Sequence, residues 1–240
     1  MHISSRLLGG LLAVSAILAP ALAGGPAEAA STPHARHSGN DNTWGGYTVL
    51  GGTFKTVTGD WTVPALNCSV AAGDVSFWSG LDGWTSKSTT VEQIGIDAVC
   101  TKTGKTKYEP WVEMYPADSV YFTETVKAGD KMTSSVTTTD TRTFTLVLAD
   151  PTQGWSKTYT MSTTKAVLDS AEVIIEAIGS AAVPTTPDFG KVYFTDVTAN
   201  GKSFASAGSV QTTNLERNGV LLTQDGPLRG TSFSATWLHK

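Results

Sequence analysis

Histidine is almost missing from the part of the chain that could form a folded domain. The four histidines of the 240 residues are His2, His34, His37 and His239. A serine or cysteine nucleophile needs an oriented imidazole, and a zinc hydrolase needs clustered His or Cys ligands. No glycine-rich phosphate loop is present either. An enzyme made from this chain must therefore carry protons on carboxyl groups, and we expect neither a metal nor a cofactor.

Charge is also scarce. Charged residues make up 16% of the chain, with a formal net charge of −4, whereas about 25% is usual for soluble proteins. The basic residues are scattered, so no basic face exists to bind a phosphate backbone, and we exclude nucleic acid as a partner. Beyond the amino end, no apolar run approaches the length of about 20 residues that a membrane span needs.

The amino end has the pattern of a secretory signal. Residues 1–6 carry a positive charge, residues 7–23 are apolar, and small residues suited to signal peptidase follow. We predict a signal peptide over residues 1–29 and a flexible tail or short pro-segment over residues 30–40. The rest, residues 41–240, is predicted to be one domain of a secreted, monomeric protein that does not associate with membranes after signal removal. In an oxidising compartment Cys68 and Cys100 can form a disulfide.

The composition of the chain favours strands. Threonine occurs 36 times and glycine 24 times, and short alternating runs are separated by Gly, Pro, Asn and Asp turn signals. Their spacing is typical of a sandwich or barrel, so we predict an all-β fold. Residues 164–178 come closest to a helical pattern, but Val173, Ile174 and Ile175 favour extended backbone. The predicted strands are residues 44–50, 53–63, 75–81, 90–99, 107–115, 119–126, 131–138, 143–149, 155–162, 171–178, 190–197, 220–223 and 232–238.

Acidic and aromatic residues share faces of several predicted strands, because residues i and i+2 point the same way. Such a face is a poor core but a good wall for a polymeric substrate; the alternative is an ordinary solvent face with stray aromatics. The residues concerned are Ser76, Trp78, Gly80 and Asp82 in one strand and Glu109, Trp111, Glu113 and Tyr115 in another.

Two further strands leave their orientation open. In residues 91–97 either face could point outward, since Gln93 and Asp97 alternate with Glu92. Residues 171–178 are apolar on both faces, which indicates a central, covered strand that carries Glu172 and Glu176. Burial raises the pKa of a carboxyl group towards the range useful for acid–base catalysis. The pattern does not decide which of the two glutamates has that role.

Five motifs in sequence order resemble the glutamic peptidases of the eqolisin type, peptidase family G1. They are WGG (44–46), WSGLDG (78–83), EQIGID (92–97), YEPWVEMYP (108–116) and AEVIIE (171–176). The resemblance implies an antiparallel β-sandwich of two large, concanavalin-like (lectin-like) sheets, with a polypeptide substrate lying across a concave face. It also implies insensitivity to pepstatin. Having only two cysteines, the chain is more similar to a bacterial branch than to the fungal members.

The same resemblance assigns roles. Gln93 aligns with the glutamine of the family's Glu/Gln dyad, and Glu176, rather than Glu172, aligns with its glutamate. By this resemblance Glu176 activates water and Gln93 stabilises the oxyanion. We expect acid pH, because the leaving amine needs a proton and neighbouring acids repel less when they are protonated. Substrate-binding positions implied by the motifs are Trp44, Trp78, Asp82, Asp97, Glu109, Trp111, Glu113 and Tyr115.

Two alternatives from other classes remain. A secreted carbohydrate-binding sandwich would also have a tryptophan-lined face, but it would not need Gln93 and Glu176. A glycoside hydrolase could use two carboxylates, for example Glu113 and Glu176, if their carboxyl groups lie about 5–10 Å apart across a cleft.

Overall fold

The computed structural model describes residues 42–179 and 185–239. These residues form antiparallel strands and one four-residue helix, which confirms the predicted all-β sandwich. The predicted signal peptide and tail lie outside the described residues. In chain order the elements are β1 (Trp44–Leu50), β2 (Thr56–Thr62), β3 (Gly73–Leu81), β4 (Val91–Cys100), β5 (Thr106–Tyr115), β6 (Val120–Tyr121), β7 (Lys131–Thr138), β8 (Thr143–Asp150), β9 (Trp155–Ser162), β10 (Ser170–Ile178), β11 (Lys191–Ala199), β12 (Lys202–Ser203), α1 (Phe204–Ala207), β13 (Ser209–Thr213), β14 (Glu216–Arg217), β15 (Val220–Leu221), β16 (Thr223–Asp225) and β17 (Phe233–Trp237).

Two large sheets account for most of the strands. The seven-stranded sheet has the order β13-β1-β10-β3-β4-β5-β6, and the path of the eight-stranded sheet is β16-β17-β11-β2-β7-β8-β9 with β12 beside β11. Strands β14 and β15 form a separate ribbon. The sequence prediction missed α1, β12, β13 and β14, all of which are short. Within the described residues no helix has the length and apolar character to cross a membrane.

The core lies between the inner faces of the two sheets. Alternate residues of β3, β4 and β10 point inward and meet alternate residues of β2, β7, β8 and β11 in one continuous apolar cluster. A polar pair joins the sheets within this core: the Ser134 hydroxyl donates to the Gly59 carbonyl (2.6 Å), and the Ser79 and Ser134 hydroxyls lie 2.7 Å apart. A Cβ at Gly59 would lie 2.8 Å from the Ser79 Oγ, so the close approach of the sheets requires glycine there.

Strand β10 occupies the centre of the seven-stranded sheet, between β1 and β3. All of its residues except Ile178 are buried, in agreement with the expectation of a covered central strand. Strands β3 and β4 are likewise buried on both faces over most of their length. The disulfide between Cys68 and Cys100 joins the connection after β2 to the end of β4. The fold thus provides a seven-stranded sheet with an outer face, turned away from the second sheet, on which a site can form.

Candidate active site

The strand register decides which side chains share the outer face of the seven-stranded sheet. Ile94, Ile96 and Val173 belong to the core between the sheets, so their neighbours in sequence point outward. Gln93 and Glu176 are therefore on the same face. The pairing of β10, β3, β4 and β5 arranges this face in three rungs: Glu172, Gly80, Gln93 and Glu113; Ile174, Trp78, Gly95 and Trp111; Glu176, Ser76, Asp97 and Glu109.

Tryptophans form a second, smaller apolar cluster on this face, separate from the core. We call it the outer cluster; it consists of Trp44, Trp78, Val91, Trp111 and Ile174. Trp44, which pairs with Glu176 across β1 and β10, packs its ring edge-on against Trp78, with centroids 4.8 Å apart and an interplanar angle of 78°. Trp84, from the connection after β3, lies 6.5 Å from Trp44.

Two indole N–H groups are directed at polar partners beside the third rung. Trp78 Nε1 donates to Oε2 of Glu176 at 3.0 Å. Trp111 Nε1 donates to the Ser76 hydroxyl at 3.2 Å, and that hydroxyl donates in turn to the carbonyl of Ile96 at 3.1 Å. Trp78 is thus hydrogen-bonded directly to the Glu176 carboxylate. Trp111 is hydrogen-bonded to Ser76, the residue that pairs with Glu176 across β3 and β10.

Gln93 is the other polar group of the site. Its side chain is fully buried, and neither its amide nitrogen nor its amide oxygen has a hydrogen-bond partner. Buried amides are normally satisfied, and an exception calls for an explanation. Gln93 and Glu176 are two strands apart, about 10 Å, and offset by four residues, about 13 Å. A substrate group lying across Trp78 would therefore have the amide on one side and the carboxylate on the other.

Most of the remaining predicted residues line the same face. Asp97 accepts a 2.6 Å hydrogen bond from the Tyr121 hydroxyl, and Glu113 accepts a 2.7 Å bond from the Ser119 hydroxyl. Glu109 lies at the partly exposed end of β5 and forms a 2.5 Å salt bridge with Lys107. Tyr115 pairs with Val91 and packs against the outer cluster.

Asp82 is placed differently from the other predicted residues. It follows β3 with a positive φ of 69°, which turns it away from the regular alternation of the strand. Its buried carboxylate accepts hydrogen bonds from the backbone N–H groups of Val167 (2.8 Å) and Asp169 (3.1 Å). Asp82 therefore fastens the β9–β10 connection and does not line the rungs.

Asp82, Glu92 and Glu172 form a group of buried carboxyls beside the first rung. Burial, and secondarily the nearby Asp82, raises the pKa of Glu92 to about 9. Burial, followed by the charges of Asp82, Glu92 and Asp169, also raises the pKa of Glu172 well above its ordinary value. Burial raises the pKa of Asp82 as well, although the backbone N–H groups at 167–169 oppose the shift. Burial therefore favours the protonated, neutral form of both Glu92 and Glu172.

Sequence reasoning missed four residues of this site. Ser76 was on the correct face but its role as acceptor for Trp111 was not foreseen, and Trp84, Ser119 and Tyr121 were not singled out. Tyr121 and Ser119 reach the site because the chain folds back after β5, and no local pattern signals that return. Within residues 42–179 and 185–239, no group of three or more His, Cys, Asp or Glu side chains is arranged to hold a metal ion.

Relatives of this chain were found by sequence. Aspergillopepsin-2 of Aspergillus niger is 27% identical over 222 residues, which cover 82% of this chain and 78% of that protein. Scytalidopepsin B of Scytalidium lignicola is 30% identical over 219 residues, covering 85% of this chain and 81% of that protein.

Solved structures of the same kind share the fold. Scytalido-glutamic peptidase with a peptide-based transition-state analogue superposes with a TM-score of 0.69 and 28% identity, over 82% of this chain and 98% of that one. Aspergilloglutamic peptidase from Aspergillus niger gives 0.61 and 28%, over 69% of this chain and 99% of that one. The model of the Peptidase A4 family matches residues 42–237. These matches confirm the resemblance read from the motifs: the chain belongs to the Peptidase A4 family of glutamic peptidases, hydrolases that cleave peptide bonds.

Proposed function

We propose that this chain is a secreted endopeptidase that works at acid pH with a dyad of Glu176 and Gln93. Membership of the Peptidase A4 family supports the reaction class. The observation that carries the residue assignment is that Glu176, bonded to the Trp78 indole, shares one face with the unpartnered, buried amide of Gln93. An amide with an unused donor is what an oxyanion site requires before the substrate arrives.

The reaction would proceed in two proton transfers. Ionised Glu176 takes a proton from a water molecule as that water attacks the scissile carbonyl carbon. The Gln93 amide N–H donates to the oxygen on which negative charge develops, a contribution of about 3–4 kcal/mol in comparable enzymes. Glu176 then gives the proton to the amine nitrogen as the C–N bond breaks. No imidazole is needed.

Several acids next to the dyad support acid pH. Asp97 lies on the same rung as Glu176, and Glu113 lies on the same rung as Gln93. A peptide lying over these carboxylates meets less negative charge when some of them are protonated, and low pH also favours protonation of the leaving amine. Tyr115, which is only partly buried beside the outer cluster, would then provide apolar surface for the substrate.

Secretion is supported by the disulfide between Cys68 and Cys100, because such bonds persist in oxidising compartments. The apolar stretch within residues 1–29 supports the same conclusion.

The glycosidase alternative has less support than the dyad. Glu113 lies three strands from Glu176, one strand farther across the sheet than Gln93, and it accepts a hydrogen bond from the Ser119 hydroxyl.

The deciding experiment is digestion of casein and of an insoluble polysaccharide by protein purified from culture medium at pH 3 to 7. We expect peptides to be released at acid pH, with or without pepstatin, and no reducing sugar. Reducing sugar without peptides would support the glycosidase, and binding without any product would support a lectin-like module.

A further inference from the structure

We infer that Trp78 is a positioning residue for Glu176, and that Gly80 and Gly95 form the cradle that holds its indole in place. This assigns Trp78 a role other than the substrate wall, and it rests on the proposed function of Glu176 as general base.

Trp78 and Glu176 are in direct contact. Trp78 Nε1 donates to Glu176 Oε2 at 3.0 Å, and both side chains are buried. Their strands β3 and β10 are adjacent, and the register places Glu176 opposite Ser76, one outward position away from Trp78. The indole therefore extends along its own strand towards the carboxylate. Trp44 packs edge-on against the same ring, so Trp78 offers little surface to a substrate.

Gly80 and Gly95 leave the space beside Trp78 that its side chain needs. Gly80 is the next outward position on β3, and a Cβ there would lie 2.8 Å from Cζ3 of Trp78. Gly95 lies directly opposite Trp78 on β4, and a Cβ there would lie 2.5 Å from the Cβ of Trp78. A side chain at Gly80 would displace the ring, whereas one at Gly95 would first meet the carbonyl oxygen of Phe77 and would push β3 and β4 apart beside Trp78. The orientation that aims Nε1 at Glu176 thus depends on glycine on two sides.

The chemical consequence follows from the surroundings of Glu176. Among the described residues, acids that share its face include Glu172 on its own strand, Asp74 on β3, Asp97 on β4 and Glu109 and Glu113 on β5. Burial favours the protonated form of Glu172, and Lys107 on the same face of β5 pairs with Glu109. Each of the remaining acids that is ionised disfavours ionisation of Glu176. A fixed N–H donor favours the ionised form and holds the carboxylate in one rotamer, so Trp78 keeps the base charged in an acidic site.

The first test compares Trp78→Phe with the wild type by kcat and KM over pH 2.5 to 6. Removing a hydrogen bond to a charged group should lower kcat by about 10- to 100-fold. It should move the acid limb of kcat/KM upward by about one pH unit, with little change in KM. Trp155→Phe, a matched change on β9 whose indole bonds the Thr125 carbonyl, should leave all three unchanged. A rise in KM with an unmoved acid limb would show that Trp78 belongs to the substrate wall, and would overturn the inference.

The second test does not depend on activity. In 1H–15N spectra of the wild type, the indole N–H resonance missing in Trp78→Phe should shift with pH, and the shift should disappear in Glu176→Gln. A Trp78 resonance that titrates equally in Glu176→Gln overturns the inference even if the enzyme is active. If the wild type cleaves no peptide but this titration is present, the proposed function fails while the contact between Trp78 and Glu176 stands.

Gly80→Ala tests the cradle without changing either partner. Because the new Cβ would also lie 3.2 Å from the Cβ of Gln93, the diagnostic readout is the acid limb rather than kcat alone. The added methyl should tilt the indole, lower kcat at least about 10-fold and shift the acid limb in the same direction as Trp78→Phe. Gly52→Ala, where the new Cβ would meet Phe54 at 3.4 Å, is the control and should have no effect on the limb. A Gly80→Ala enzyme with wild-type kcat and an unmoved limb would overturn the role of the glycines.

Discussion

The outer faces of the two large sheets differ sharply. On the eight-stranded sheet, β7 and β8 alternate between buried and more exposed residues, and the edge strand β9 alternates between partly buried and exposed ones. Threonines cover the outer side; one rung runs through Thr56, Thr137, Thr145 and Thr160. On the seven-stranded sheet, the outer face of β3, β4 and β10 is buried and carries tryptophans, acids and an amide.

The difference separates what stabilises the protein from what it does. Threonine on an exposed strand is favourable because its branched side chain suits the pleated surface. Buried carboxyls and an unpartnered amide cost stability. A protein that retains them on one sheet, beside glycines that make room for a tryptophan, has a functional reason to do so. The predictions below test this division.

The largest effect should come from Glu176→Gln. The amide cannot take a proton from water, so peptidase activity should fall at least about 1,000-fold while circular dichroism and thermal unfolding stay close to wild type. Asp60→Asn, the same change on the outer face of the eight-stranded sheet, should retain activity. Near-normal turnover of Glu176→Gln would show that Glu176 is not the catalytic base, and that the functional role of the outer face of the seven-stranded sheet does not rest on it.

Gln93→Ala should have the next largest effect. Loss of the oxyanion donor should lower kcat by about 100- to 1,000-fold, with a smaller change in KM. Because the buried amide has no partner, its removal should cost little stability. Gln224→Ala, at an exposed position of β16, serves as the control for activity. An unchanged kcat would show that another group stabilises the oxyanion.

The third prediction concerns pH. The pKa of Glu92 is raised from 4.5 to about 9 in the folded protein, so the folded state binds this proton more tightly than the unfolded one. The contribution of Glu92 to stability is therefore fully present below about pH 4.5 and is lost as pH rises towards 9, by about 1.4 kcal/mol per pH unit.

Urea unfolding at pH 4, 6 and 8 measures this effect. Glu92→Gln should flatten the fall in stability, and its advantage over the wild type should grow with pH. Asp140→Asn should leave this slope unchanged, because the backbone N–H groups of Thr143 and Arg142 lower the pKa of Asp140 and its titration lies below the window. Parallel curves for the wild type and Glu92→Gln would contradict the assignment of a buried, protonated Glu92.

The smallest effect is expected on the threonine face. Thr145→Ala, at an exposed position of β8, should change the free energy of unfolding by less than about 0.5 kcal/mol. The next residue, Leu146, is fully buried in the core, and Leu146→Ala should cost about 2–5 kcal/mol. Equal costs for the two variants, measured by urea unfolding, would show that the exposed threonines do more than cover the sheet.

Much of the fold could be predicted from local patterns. The predicted bounds of β7 and β9 agree with the structure, because their alternation between core and solvent is uninterrupted. Strand β13 was missed: it is short, lies at the sheet edge, and takes its place from pairing with β1, more than 150 residues away in the chain. Of the strand predicted over residues 119–126, only β6 forms, since only Val120 and Tyr121 pair with residues of β5.

The sequence by itself determined that the protein is all-β and that its chemistry cannot use histidine from within the sheets. Through its motifs it also showed the resemblance to the glutamic peptidases, from which Gln93 and Glu176 are predicted as the dyad. Only the tertiary structure decided that those two residues share one face, that Asp82 fastens a connection away from the rungs, and that Trp78 donates to Glu176. The reason is physical: alternation along a strand is a local property. By contrast, three features depend on strands that are far apart in the chain. They are the register between strands, the direction in which a residue with positive φ points its side chain, and the acceptor that an indole N–H finds.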